Sequence, residues 1–133
     1  MNKIEKYVSW NLIENQPQKM IIDSLHDDDE GLRVFLKDAS ISGENRLLQI
    51  VFDPYISYRN MDECYRASTF DSNSDGLKDT FYIVNNSAWL NWFHKESKNI
   101  YNDRVIAHYS LITVADCIDI LSEYPPEVFW INK

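Results

Sequence analysis

The sequence predicts an α+β domain: a largely antiparallel sheet of about five to seven strands with two helices on one face. Three observations lead there. Short apolar runs, some alternating with period two and separated by polar turns, fill the first half of the chain. Two later segments place apolar residues at i, i+3 and i+4, the helical spacing. Only three Gly and four Pro are spread over 133 residues, too few for long linkers, so residues 1–133 are read as a single domain. A chain of this length buries roughly two-thirds of the surface that it exposes when unfolded, and needs no disulfide or metal to hold a core.

The segment from Lys6 to Ile13 suits an N-terminal strand. Met20 to Leu25 is apolar enough for the next. In the following strand Leu32, Val34 and Leu36 alternate with Arg33, Phe35 and Lys37. Asp27-Asp28-Asp29-Glu30, closed by Gly31, makes an acidic turn between those two strands. Leu48, Ile50 and Phe52 then share a face until Pro54, completing an antiparallel meander. Between Asp53 and Thr80 the chain is too apolar for a free loop, and at least one short strand is expected there. Phe81 to Val84 resumes the sheet. Ser87 caps a helix from Ala88 to Ser97, on which Trp89, Trp92 and Phe93 form one apolar stripe. Val105 to Ile112, apolar on both faces, reads as a central strand. Thr113 opens the second helix: Asp116 falls at capping-box spacing, and Val114, Cys117, Ile118 and Leu121 keep the helical period until Pro125 and Pro126. Val128 to Ile131 is a final strand.

Composition narrows the function. A net charge of −8 repels nucleic-acid phosphates and anionic lipid, so no nucleic acid and no membrane are expected as partners. It suits a basic protein, or simply solubility. The N-terminus has no apolar signal segment, no run is long enough to span a bilayer, and Cys64 and Cys117 fit no metal or redox spacing. A reducing, cytoplasmic location is the resulting expectation.

No catalytic, metal or cofactor signature stands out, and no cofactor is expected. Asp71-Ser72-Asn73-Ser74-Asp75-Gly76 matches the first half of a calcium loop, but its twelfth position is Tyr82, where a bidentate acid belongs. A hairpin turn accounts for the same letters. His26, His94 and His108 share no ligand spacing. A Cys64 pair with His108 or His94 would need the fold to assemble it. Asp116 is read as a helix cap, Asp119 as solvent-facing, and Arg59 as the ion-pair partner of Glu63. The residues put forward for partner binding are Asp27, Asp28, Asp29 and Glu30, with Tyr55, Tyr58 and Trp92 as aromatic anchors.

Three stretches together carry a family likeness: Phe52 to Glu63 (FDPYISYRNMDE), Tyr82 to Phe93 (YIVNNSAWLNWF) and His108 to Leu121 (HYSLITVADCIDIL). In layout and short phrases this resembles small bacterial immunity proteins of polymorphic or contact-dependent toxin systems. The similarity spans roughly residues 30 to 130. It implies a small, cytoplasmic, non-catalytic protein that neutralises a cognate basic toxin, such as a nuclease, by direct binding. Two other readings remain open at this stage. One is a ligand-binding or enzymatic domain with a pocket between the sheet and the Trp89/Trp92 helix, where His108, Tyr109 and Arg59 would converge. The other is a homo-oligomer subunit whose open edge is either the strand after Ile13 or the one ending in Trp130.

Overall fold

The computed structural model describes residues 4–73 and 76–132. These residues form an α+β structure, mostly sheet, with nine strands among them divided between two antiparallel sheets. The strands are β1 (Lys6–Ser9), β2 (Met20–Asp28), β3 (Gly31–Asp38), β4 (Arg46–Phe52), β5 (Ser57–Asp62), β6 (Phe81–Asn85), β7 (Ala107–Ile112), β8 (Asp116–Ser122) and β9 (Glu127–Asn132). The five-stranded sheet runs β1-β6-β7-β8-β5 and the four-stranded sheet β2-β3-β4-β9. Two helices, α1 (Ala67–Asp71) and α2 (Ala88–Glu96), lie in the connections on either side of β6, and a single 3-10 turn at Glu63–Tyr65 precedes α1.

The sheets pack face to face. Met20, Val34, Leu36, Leu48, Ile50 and Phe52 from the four-stranded sheet meet Phe81, Tyr109, Leu111, Ile118 and Ile120 from the other, all buried. Phe52 and Tyr109 sit at the join, ring centroids 5.3 Å apart. The meander expected from alternation is present as β2-β3-β4, with Leu36 opposite Leu48 and Val34 opposite Ile50. The central strand expected near Val105 is β7, which begins at Ala107 and is third in its sheet.

The outer face of the five-stranded sheet carries a second cluster, in which Tyr7, Tyr82, Val84, Ile112 and Cys117 pack with Leu77 and Phe70. The α2 helix lies over the same face: its Trp89 ring stands edge-on to His108, at 5.3 Å. Ser87 caps α2 as expected, its Oγ accepting from the Leu90 amide at 3.0 Å.

The second expected helix is a strand. Residues 116–122 form β8, flanked by β7 and β5 and buried on both faces from Cys117 to Ser122. A strand covered on both faces needs no alternation, so a continuous apolar run satisfies helix and strand periods alike. The residues taken for a capping box close a hairpin instead. Thr113 donates its backbone N–H to the Asp116 carbonyl at 2.8 Å, and its Oγ1 accepts from the Asp116 N–H at 3.1 Å. The short second helix is α1, between Asp53 and Thr80, where the expected short strand is also found, as β5.

Candidate functional site

Two groupings of polar side chains stand out, one buried and one at the surface. The buried one is centred on Asp119. Its position on β8 aims it at the outer face of the sheet, beside His108 on β7 and Arg59 on β5. His108 Nε2 lies 2.7 Å from Asp119 Oδ1, Arg66 Nη1 lies 2.7 Å from Oδ2, and Arg59 Nε lies 3.1 Å from the same oxygen. His108 Nδ1 is 2.6 Å from Ser87 Oγ, and Arg66 Nη2 donates to the Tyr7 hydroxyl at 3.0 Å. All these contacts are satisfied together when His108 carries its proton on Nε2 and accepts from the Ser87 hydroxyl on Nδ1.

The electrostatics follow from the burial. Removing Asp119 from water would by itself raise its pKa. The His108 hydrogen bond, with the charges of Arg59 and Arg66, outweighs that and holds the carboxyl far below the usual range. Burial, reinforced by Asp119, pushes the Tyr7 phenol up to about 12. Arg59 is only partly buried, and its guanidinium stacks on the Trp89 ring, 4.5 Å from the centroid.

Serine, histidine and aspartate in a chain of hydrogen bonds invite comparison with nucleophilic triads. The geometry is closed, however. Ser87 is 3% exposed and His108 1%, with the Trp89 ring beside the imidazole. Ser87 Oγ is already engaged as the α2 cap, and the imidazole meets the carboxylate through Nε2 rather than Nδ1. What the arrangement does is pin the start of α2 and the segment at Arg66 onto the sheet. Two sequence-based assignments are corrected here: Asp119 is fully buried rather than solvent-facing, and Arg59 pairs with Asp119 rather than Glu63. Arg66 and Ser87 had no visible tie to Asp119 because their partners lie 53 and 21 residues away.

The surface grouping is the β2–β3 turn. Asp27 and Asp28 belong to β2, so the turn itself is Asp29-Glu30, with Asp28 opposite Gly31. All four acids are exposed. Arg33 pairs with Asp28 and, at 3.3 Å, with Glu30. Asp53 packs against Gly31 at the base of the same turn. The Tyr55 hydroxyl donates to Asp27, which pushes the phenol up to about 12, and the Tyr55 ring meets Tyr58 edge-on at 5.5 Å. Asp27, Tyr55 and Tyr58 therefore form one surface. Trp92 is 52% exposed on α2 and shares no ring contact with them among the described residues.

The remaining candidates separate. Tyr109 faces the core while its neighbour His108 faces α2, so only His108 and Arg59 of the proposed pocket residues converge. A cleft of about 280 Å³ does lie beside α2, but Ile56, Phe93, Tyr101, Arg104 and Ile106 line it. Cys64 is exposed on the 3-10 turn, away from buried His108. Of the calcium-like loop, Ser74 and Asp75 lie outside the described residues, and Asn73 donates its side-chain amide to the Thr69 carbonyl. Among the described residues no helix is long and apolar enough to cross a membrane.

The fold and these groupings define a two-sheet antiparallel α+β protein with a closed ionic hub and an acidic, tyrosine-backed hairpin tip. Comparison with protein-family models, curated proteins and solved structures finds no match.

Proposed function

We propose that this chain is a non-catalytic protein-binding module of the immunity type, which neutralises a basic toxin domain by direct contact in the cytoplasm. The observation that carries the reading is the β2–β3 tip. Five carboxylates, Asp27, Asp28, Asp29, Glu30 and Asp53, gather there, and Arg33 pairs with two of them. Like charges so close repel one another, and a Lys/Arg-rich surface relieves that repulsion on docking. The tip closes the β2–β3 hairpin, and Tyr55, fixed by its bond to Asp27, stands beside it as an amphipathic anchor. The chain's net charge of −8 extends the attraction beyond the contact and raises the encounter rate. An acidic inhibitor steered onto a basic nuclease is an established case of such electrostatic steering.

The test is affinity capture from the native cell with two baits, the natural chain and one carrying Asp27→Asn, Asp28→Asn, Asp29→Asn and Glu30→Gln. The natural bait should retain a basic protein in stoichiometric amount at low salt and lose much of it at high salt. The neutralised bait should associate with that purified partner about tenfold more slowly or worse. Equal association rates for the two baits would sink the role given to the tip.

A further inference from the structure

We infer that β9 is a self-pairing edge, through which two copies of this chain join their four-stranded sheets into one sheet of eight. The inference is independent of the acidic tip and starts from how the sheet edges are protected. Two sheets present four edge strands: β1, β5, β2 and β9. Edge strands offer unpaired backbone N–H and C=O groups to any other strand, and proteins blunt them with short length, bulges or charge. Three edges here are blunted. The β1 strand has four residues. The β5 strand carries Arg59 and Asp62. The β2 strand is broken by a register shift between Ile22 and Ser24, and carries Asp23, Asp27 and Asp28.

The fourth edge carries its one charge, Glu127, at its first residue. From Val128 to Ile131 it reads Val-Phe-Trp-Ile, without charge, proline or bulge, in continuous register with β4 from Glu127 to Asn132. Among the described residues it is hydrogen-bonded on one side only. Phe129 is 44% exposed on the outer face of that sheet, away from the core.

A second copy fits this edge because the strand is complementary to itself. Paired antiparallel about a two-fold axis through Trp130, β9 sets Phe129 of one copy opposite Ile131 of the other on the outer face. On the inner face Trp130 meets its own counterpart, and Val128 meets Asn132. No two like charges oppose one another in that register, and aromatic–aliphatic cross-strand pairs stabilise a sheet. Elsewhere two copies of charge −8 repel, so the stretch from Val128 to Ile131, which has no charged residue of its own and bears only the Arg46 cation over Trp130, is where they can approach. The β2 strand lies at the opposite edge of the same sheet, so the acidic tips end up at the two far ends of the dimer, free to bind.

The test is sedimentation equilibrium of the whole chain from micromolar to near-millimolar concentration at low and high salt. The expected result is a monomer–dimer equilibrium reaching twice 15.7 kDa, and a dimer that tightens as salt screens the mutual repulsion. Binding of a basic partner weakens with salt, so the two ideas fail separately. Two double variants, Phe129→Lys with Ile131→Lys and Phe129→Glu with Ile131→Glu, should each raise the dimer dissociation constant about tenfold or more. Mixed together, they should recover a heterodimer, which misfolded variants could not do. A chain monomeric under all conditions overturns the inference and leaves the edge to a strand of a different protein. So does a dimer that survives the lysine pair, or folded variants that fail to recover each other.

Discussion

Ser87 Oγ and His108 Nδ1 lie 2.6 Å apart beneath the first turn of α2, so one hydroxyl both caps the helix and joins it to the buried histidine. Ser87→Ala removes the cap, worth about 1 kcal/mol, and leaves the imidazole nitrogen buried without a partner, a further penalty of about 1–3 kcal/mol. Urea denaturation should register the combined loss, and Ser87→Thr should recover part of it. Because the hydroxyl is enclosed, intact protein should gain no mass on incubation with a fluorophosphonate reagent. Stoichiometric labelling at Ser87 would overturn the structural role.

Asp119 neutralises Arg66 in a site closed to water, and Asp119→Asn leaves that guanidinium buried without its counter-charge. Breaking one partner of such a buried set costs about 3–5 kcal/mol, a large part of a small domain's stability. The pH dependence has a fixed sign. Asp119 titrates below its unfolded value, so its contribution is complete above the ordinary carboxyl pKa of about 4 and falls away as pH drops further. Urea midpoints measured from neutral pH down into the acid range should fall steeply for the natural protein. The Asp119→Asn variant should be weaker throughout and fall less. A variant with the same acid slope would show that other carboxylates carry it.

The legible parts of this fold were those where one face is wet. Leu32, Val34 and Leu36 alternate with Arg33 and Lys37 because β3 has solvent on its outer side, and the acidic turn was readable because it is bounded by two such strands. The β8 strand defeated the same reasoning because the second sheet covers one of its faces and the cluster around Tyr7, Leu77 and Phe70 covers Cys117 on the other, which erases the period. That one misreading hid the hub, since treating 113–121 as a helix turned Asp119 outward. A charged residue inside a wholly apolar run, as Asp119 is within Cys117 to Leu121, was the signal for a buried ion pair. Its partners could not be named, because Arg66 and Ser87 reach it only through the fold.

Gly31 opens β3 at φ +95°, and an added Cβ would sit 2.7 Å from the Asp53 Cβ. Neither obstacle yields easily: the left-handed conformation disfavours any side chain, and the opposing atom is fixed directly to backbone. Gly31→Ala should therefore destabilise by about 2 kcal/mol or more and splay the acidic tip from Asp53. Thermal or urea unfolding checks the first effect, and amide exchange at Asp28 to Leu32 checks the second. Unchanged stability would mean that the turn relaxes freely and is a poor rigid platform for a partner.

Tyr55 reports on the same tip from the other side. Its hydrogen bond to Asp27 is the main cause pushing its pKa up to about 12, with burial and the Asp27 charge adding to it. Asp27→Asn should bring the phenol back toward its ordinary value of about 10. Tyr7, held up to about 12 by burial, titrates in the same range, so the measurement must follow Tyr55 through its own ring resonances by NMR. A phenol raised in the folded state stabilises fully below the unfolded value and loses that contribution between about pH 10 and 12, where the natural protein should weaken more than Tyr55→Phe. If Asp27→Asn leaves the Tyr55 titration in place, the tyrosine is held by its packing on Tyr58, and the tip has lost the contact that fixes its anchor.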